Sequence, residues 1–176
     1  MFIPGQIIAL LTFPGVIVHE SAHQLFCRFC RVAIFDVCYL RFENPVGYVI
    51  HEPPSKPFHH LLIGIGPFFL NSVVGLLIAF PAVIPVLRFD SGNLLDYFLI
   101  WLGVSISMHA FPSTGDAKSI LEAIQKKDVP FWLKLVGTPL VGFIYLGAIG
   151  SVMWLDLAYG IGIVGVLPNL LVKLLA

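Results

Sequence analysis

Apolar residues along this chain fall into five long runs separated by short polar stretches. A helix crossing the hydrocarbon of a bilayer needs about 20 mostly apolar residues. The runs over 5–27, 60–86, 95–112, 131–153 and 157–175 are of that kind. The pattern predicts an all-α integral membrane protein with about five transmembrane helices, forming a single domain over residues 1–176. Only a short link at 155–159 parts the last two runs, and Pro168 is expected to kink the fifth. The opening stretch MFIPGQIIALLTFPG lacks the basic region and small-residue cleavage site of a signal peptide, and reads as the start of the first span.

Two stretches depart from this pattern. Val32–Phe42 and Val46–His51 are rich in β-formers and flank the turn-like cluster Glu43-Asn44-Pro45. They read either as a plain cytoplasmic loop or as a small β-hairpin dipping into the inner leaflet. A hairpin there needs its backbone covered by protein, and it would offer an edge to an extended substrate. After the third run, Pro112 followed by Ser113-Thr114-Gly115 predicts an unwound corner. Beyond it Ala117, Ile120, Leu121 and Ile124 recur at helical spacing, with Lys118, Glu122, Lys126 and Lys127 off that stripe. That is the pattern of an amphipathic helix lying on a membrane surface.

Composition narrows the class. The chain is 58% hydrophobic and 11% charged, against about 25% charged in soluble domains, and its mean hydropathy is +0.94. No separate soluble domain fits beside the spans. The formal net charge is zero, and no basic cluster points to nucleic acid; the implied surroundings are a lipid bilayer. With five spans, Arg28, Arg31, Arg41, Lys56, Lys118, Lys126, Lys127 and Lys173 share one side, with Lys134 at its edge and Arg88 alone opposite. The positive-inside rule then makes this a multi-pass protein with its N-terminus outside and its C-terminus cytoplasmic.

Ionisable side chains within an apolar span default to a functional reading. The first run contains His19-Glu20-Ser21-Ala22-His23, an HExxH motif. On a helix, His19 and His23 stack one turn apart on one face and reach a single tetrahedral zinc. Glu20 is offset by about 100° around the axis, which suits a base beside the metal better than a third ligand. A catalytic zinc takes three protein ligands and leaves one position open. Asp36, Glu43 and Glu52 lie in the loop, while Asp90, Asp96 and Asp156 fall on the far side of the bundle. Asp116, at the inner foot of the third span, is the best remaining carboxylate, although it is also placed to cap the surface helix. His109 is its rival as ligand, and is alternatively a hydrogen-bond donor to the transition state. His51, His59 and His60 read as wetted interface residues, with a metal role as the alternative, and Asn71 as a hydrogen bond between packed helices. Cys27, Cys30 and Cys38 read as apolar fillers rather than a disulfide framework, with a Cys27 thiolate ligand conceivable one turn beyond His23.

These parts suggest zinc-assisted hydrolysis of a peptide bond, with one zinc per chain, His19, His23 and Asp116 as ligands, Glu20 as proton carrier and His109 steadying the oxyanion. The expected substrate is a membrane protein or peptide that unwinds locally, because a helix shields its own peptide bonds.

Three motifs in this order also resemble the site-2 proteases, a family of intramembrane zinc metalloproteases: HESAH in one span, Gly66-Pro67 to Asn71 in a middle span, and Pro112 to Asp116 at the end of a later one. The family's later motif runs asparagine, two residues, proline, then an aspartate–glycine pair whose aspartate is the third zinc ligand. His109 stands in the asparagine position, Pro112 matches, Asp116 follows with one residue fewer before it, and Ala117 replaces the glycine. The Gly-Pro to Asn spacing is one residue longer than usual. The resemblance covers residues 19–116 and implies a divergent or minimal member that cleaves membrane-embedded substrates near the cytoplasmic leaflet. The rival class is a non-catalytic metal-binding membrane protein, either a degenerate chaperone or a metal transporter. A transporter would line several spans with polar groups, whereas the last two carry only Lys134, Asp156 and Lys173 near their ends. A histidine-box iron oxidase needs more than the six histidines present.

Overall fold

The computed structural model describes residues 5–175. Residues 1–4, the beginning of the opening stretch ahead of the expected span at 5–27, lie outside the described residues. The described residues form eight α-helices and one two-stranded sheet: α1 Gly5–Leu11, α2 Phe13–Phe29, β1 Ile34–Cys38, β2 Tyr48–His51, α3 Pro57–Phe89, α4 Leu94–Met108, α5 Thr114–Ile124, α6 Phe131–Gly150, α7 Leu155–Ile161 and α8 Leu167–Leu175.

The run at 5–27 is not one straight helix. Pro14 has no N–H, and its ring clashes with the carbonyl of residue 10 in a continuous helix. The chain therefore restarts at Phe13 with Pro14 in the first turn, where an absent N–H is harmless, and α1 lies at 88° to α2. The run at 95–112 is also shorter than expected. The capping box of Asn93 and Asp96 starts α4, and Pro112 cannot donate to Met108, so the helix stops there. Its 15 residues rise about 22 Å, short of the roughly 30 Å of a hydrocarbon core. Among the described residues five spans are thus not formed. Three helical stretches are long and apolar enough to cross a membrane, Pro57–Phe89, Phe131–Gly150 and Leu155–Leu174, or four if the bent α1–α2 pair is one span. Large apolar side chains on the outside, such as Leu77 at 66% and Leu146 at 68% exposure, suit hydrocarbon surroundings.

Helix α3 is the central strut. It packs against α4 through small residues: a Cβ at Gly75 would lie 2.6 Å from the Gly103 carbonyl oxygen, and one at Gly103 2.6 Å from that of Gly75. Helix α2 runs antiparallel to α3, with Gly15 beside Asn71 and His23 beside Ile63. Helix α4 runs parallel to α2, bringing His109 to His19.

After the Pro112 corner, the capping box of Ser113 and Asp116 starts α5, whose stripe of Ala117, Ile120 and Ile124 is buried. The partner of that stripe is protein: Leu61 of α3 and Leu133, Val141 and Ile144 of α6 close one core with it. Helix α6 lies antiparallel along α5, from Gly137 packed on Ile124 to Gly147 packed on Phe111. It therefore returns to the foot of α4. The final stretch then runs parallel to α3: the Tyr159 hydroxyl meets Ser72, and Val164 packs between Ala79 and Val83. A π-helical segment, Gly162–Val166, absorbs the hydrogen bond that Pro168 cannot make. The chain ends towards the Arg88 end of α3, whereas five alternating crossings place it at the Lys56 end.

Of the two readings of 32–52, the hairpin is the one formed. Strands β1 and β2 pair antiparallel, Cys38 with Tyr48 and Ile34 with His51, with a bulge between Ile34 and Asp36. Cys27 and Cys30 are buried with Ile63, packed against Val32 and Ile34, which is the filler role read from sequence.

Candidate metal centre

Helix α2 presents His19, Glu20 and His23 at the place where α3, the foot of α4 and the start of α5 converge. One ligand atom from each of His19, His23 and Asp116 lies within 4.8 Å of the others. This is the trio expected from the sequence. Each imidazole is oriented by the main chain. His19 Nδ1 lies 2.7 Å from the His109 carbonyl oxygen, and His23 Nδ1 lies 3.0 Å from that of Ile63. A carbonyl oxygen only accepts, so Nδ1 carries the proton in both rings and the Nε2 atom of a neutral ring carries a lone pair.

Those two Nε2 atoms face each other at 3.2 Å. Two lone pairs that close repel unless a cation sits against both. Two nitrogens bound to a tetrahedral zinc at about 2.0–2.1 Å are themselves about 3.3 Å apart, so the donor set fits that ion. Asp116 Oδ2 stands 3.7 Å from His23 Nε2. The same oxygen accepts the Ser113 hydroxyl at 2.7 Å and the Ser113 N–H at 2.9 Å, which orients the carboxylate as an outer-shell partner should. The cap of α5 is Ser113 rather than Asp116, which is the third residue of the helix and closes the capping box, so its carboxylate takes part in the cap while still lying in the cluster with His19 and His23.

Glu20 is 8% exposed, and among the described residues no hydrogen bond or ion pair holds its carboxylate. It lines a cavity of about 200 Å³ together with His19, His23 and Asp116, walled on one side by Gly47, Tyr48 and Val49 of the hairpin. Gly47 lies directly on it: a Cβ there would stand 2.8 Å from Glu20 Cγ. Tyr48 donates its hydroxyl to Asp36 at 2.8 Å, and that bond pushes the phenol above its ordinary pKa.

His109 is placed differently from either role read for it. Its ring Nε2 lies 2.8 Å from the Thr12 hydroxyl, which gives its own proton to the Ile8 carbonyl at 2.7 Å. The ring nitrogen is therefore the donor, and the imidazole is engaged at the α1–α2 bend, apart from the ligand trio. What His109 brings to the centre is its carbonyl. Asn71, fully buried, steadies that carbonyl: its amide nitrogen lies 3.2 Å from the His109 oxygen, 3.1 Å from that of Ile106 and 3.2 Å from that of Gly15. Cys27 is not in the ligand cluster, and His59 does not line the cavity. His51 does line it, and with His60 and Asp116 lines a small adjoining one.

Four contributors were not read from sequence: the Ile63 carbonyl, Ser113 as partner of Asp116, Gly47 over Glu20, and Asn71 as the clamp on His109. The Ser113-x-x-Asp116 spacing was available as a capping signal. Main-chain carbonyls leave no mark in side-chain identity. No protein-family model matches the chain, and no curated protein or solved structure matches it either.

Proposed function

We propose that this chain is an intramembrane zinc metalloprotease, a divergent or minimal relative of the site-2 proteases, holding one zinc between His19, His23 and Asp116. The observation that carries the reading is the pair of Nε2 lone pairs 3.2 Å apart, each fixed by a carbonyl behind it. What zinc supplies when bound is Lewis acidity towards a carbonyl and a water.

The chain's own residues do the rest. Glu20 takes a proton from the attacking water as the water oxygen bonds to the scissile carbonyl carbon. It returns that proton to the amide nitrogen as the carbon–nitrogen bond breaks. The free edge of β2, beside the cavity, pairs an extended substrate segment, and the hairpin covers the site from bulk water. A buried, unpartnered carboxylate is costly without a proton to carry, which weighs against a purely metal-holding protein.

The ligand end of the bundle carries Arg28, Arg31, Lys56, Lys118, Lys126 and Lys127. That end is cytoplasmic under the positive-inside rule. The final helix runs away from it, so the C-terminus belongs on the opposite face.

Zinc content and cleavage of a single-span reporter test the reading together. Wild type carries one zinc per chain and cleaves. Glu20→Gln keeps its zinc and loses about 10²–10⁴-fold in turnover. Asp116→Asn loses zinc affinity by about a hundredfold or more, beyond the loss for an outer-shell partner. Undiminished cleavage by Glu20→Gln sinks the mechanism.

A further inference from the structure

The cavity over Glu20 does not stand alone. Ser113 lines it together with a second cavity of about 310 Å³. That second cavity shares Met108, His109, Ser151 and Asp156 with a third of about 330 Å³, which reaches Ile8 of α1. Linked by these shared walls, the three cavities lie in series from the His19–His23–Asp116 cluster past the foot of α4 to the α1–α2 bend, and together are treated as one groove. Its far wall exists because α6 turns back to Phe111, carrying Ser151 and Asp156 to the level of the metal centre rather than to the far side of the bundle.

The chemistry of that wall is one-sided. Asp156 is half-buried, and its Oδ1 accepts the N–H of neighbouring Leu157 at 2.8 Å. Among the described residues no cation pairs with it. The Ser151 hydroxyl gives its proton to the Ala148 carbonyl at 2.7 Å, leaving lone pairs on its oxygen. The His109 ring donates to Thr12. The shared stretch of groove thus offers acceptors and a formal negative charge, with no positive side chain among the described residues to answer it. A carboxylate held from water without a partner is costly. The free N–H groups of an unwound peptide would satisfy neutral acceptors, but a charge is best met by a charge.

We propose that this groove holds the substrate residues flanking the scissile bond, and that Asp156 selects a lysine or arginine among them. The inference rests on the hydrolase reading and adds a specificity determinant to it. Asp156 is a binding residue in this account and takes no part in bond cleavage.

The test uses the full chain, loaded with zinc, and a single-span reporter whose cleavage position is read by mass spectrometry. Lysine, glutamine or glutamate is placed in turn at each residue flanking the scissile bond. Wild type is expected to favour lysine over glutamine at one position by about tenfold or more in kcat/KM, the scale of a charge-assisted hydrogen bond. Asp156→Asn brings that ratio close to one, and Asp156→Lys inverts it in favour of glutamate. Zinc content equal to wild type in both variants shows that the fold is kept. Cleavage by wild type without positional preference for lysine overturns the inference alone, as does a preference that survives in Asp156→Asn. Absence of cleavage of every reporter by zinc-loaded wild type overturns the hydrolase reading, and this inference with it.

Discussion

His109 shows how much one residue's role depends on which of its atoms is used. The spacing from Pro112 makes its imidazole a candidate ligand or donor, yet the ring is spent on Thr12 and the carbonyl is what orients His19. Replacing the ring should therefore matter less to the metal than loosening the carbonyl. His109→Ala is expected to keep zinc affinity within a few-fold of wild type. Asn71→Leu, which removes the amide nitrogen lying between the Gly15, Ile106 and His109 carbonyls, should weaken zinc by about tenfold or more. Competition against a chelator of known affinity measures both, and a larger loss in His109→Ala than in Asn71→Leu would return the ring to the metal.

At the scale of elements, the hairpin and the α5–α6 pair decide how the site is enclosed. The 32–52 stretch has strand-forming composition without a partner visible in sequence, and it is the packing of β1 and β2 near α2 and α3 that makes it a lid. Gly47 leaves room for Glu20 beneath that lid, because any side chain there enters the space of Glu20 Cγ. Gly47→Val is expected to keep zinc but lose about a hundredfold in kcat, the scale of an ångström-sized misplacement of a catalytic group. Zinc analysis beside single-turnover cleavage separates the two effects, and full activity in Gly47→Val would show that the hairpin does not rest on Glu20. The stripe on α5 was legible, but its partner was not. The same apolar face that suits a membrane surface suits α6, and Ile120 and Ile124 pack with Leu133, Val141 and Ile144.

For the whole molecule, the return of α6 changes which residues meet and on which face the chain ends. Asp156 reaches the groove beside His109, and α8 runs with α3 towards Arg88. Exposed Lys127 and exposed Lys173 should then lie on opposite faces of the membrane. Variants Lys127→Cys and Lys173→Cys, made with Cys38→Ser so that the only other cysteines are the buried Cys27 and Cys30, test this with a thiol reagent that does not cross the bilayer. The cysteine at position 173 is expected to react from outside intact cells, and that at 127 only after permeabilisation. Labelling of both from the same face would restore the alternating arrangement of five crossings.

By itself the amino-acid sequence determined that the chain is mostly helical and carries runs apolar enough for a membrane, and it singled out His19, His23 and Asp116, which the fold brings within 4.8 Å of one another. Each of these follows from local periodicity, from composition, or from ionisable side chains that are costly in an apolar span and so stand out there. The Pro14 break and the Ser113–Asp116 capping box were within its reach too, since both obey short-range rules. Only the tertiary structure decided which carbonyls turn the imidazoles, that the His109 ring faces Thr12, and that α6 folds back to bring Asp156 to the groove. Those outcomes depend on which of several equally apolar faces pack together, and hydrophobic pattern does not distinguish one such partner from another.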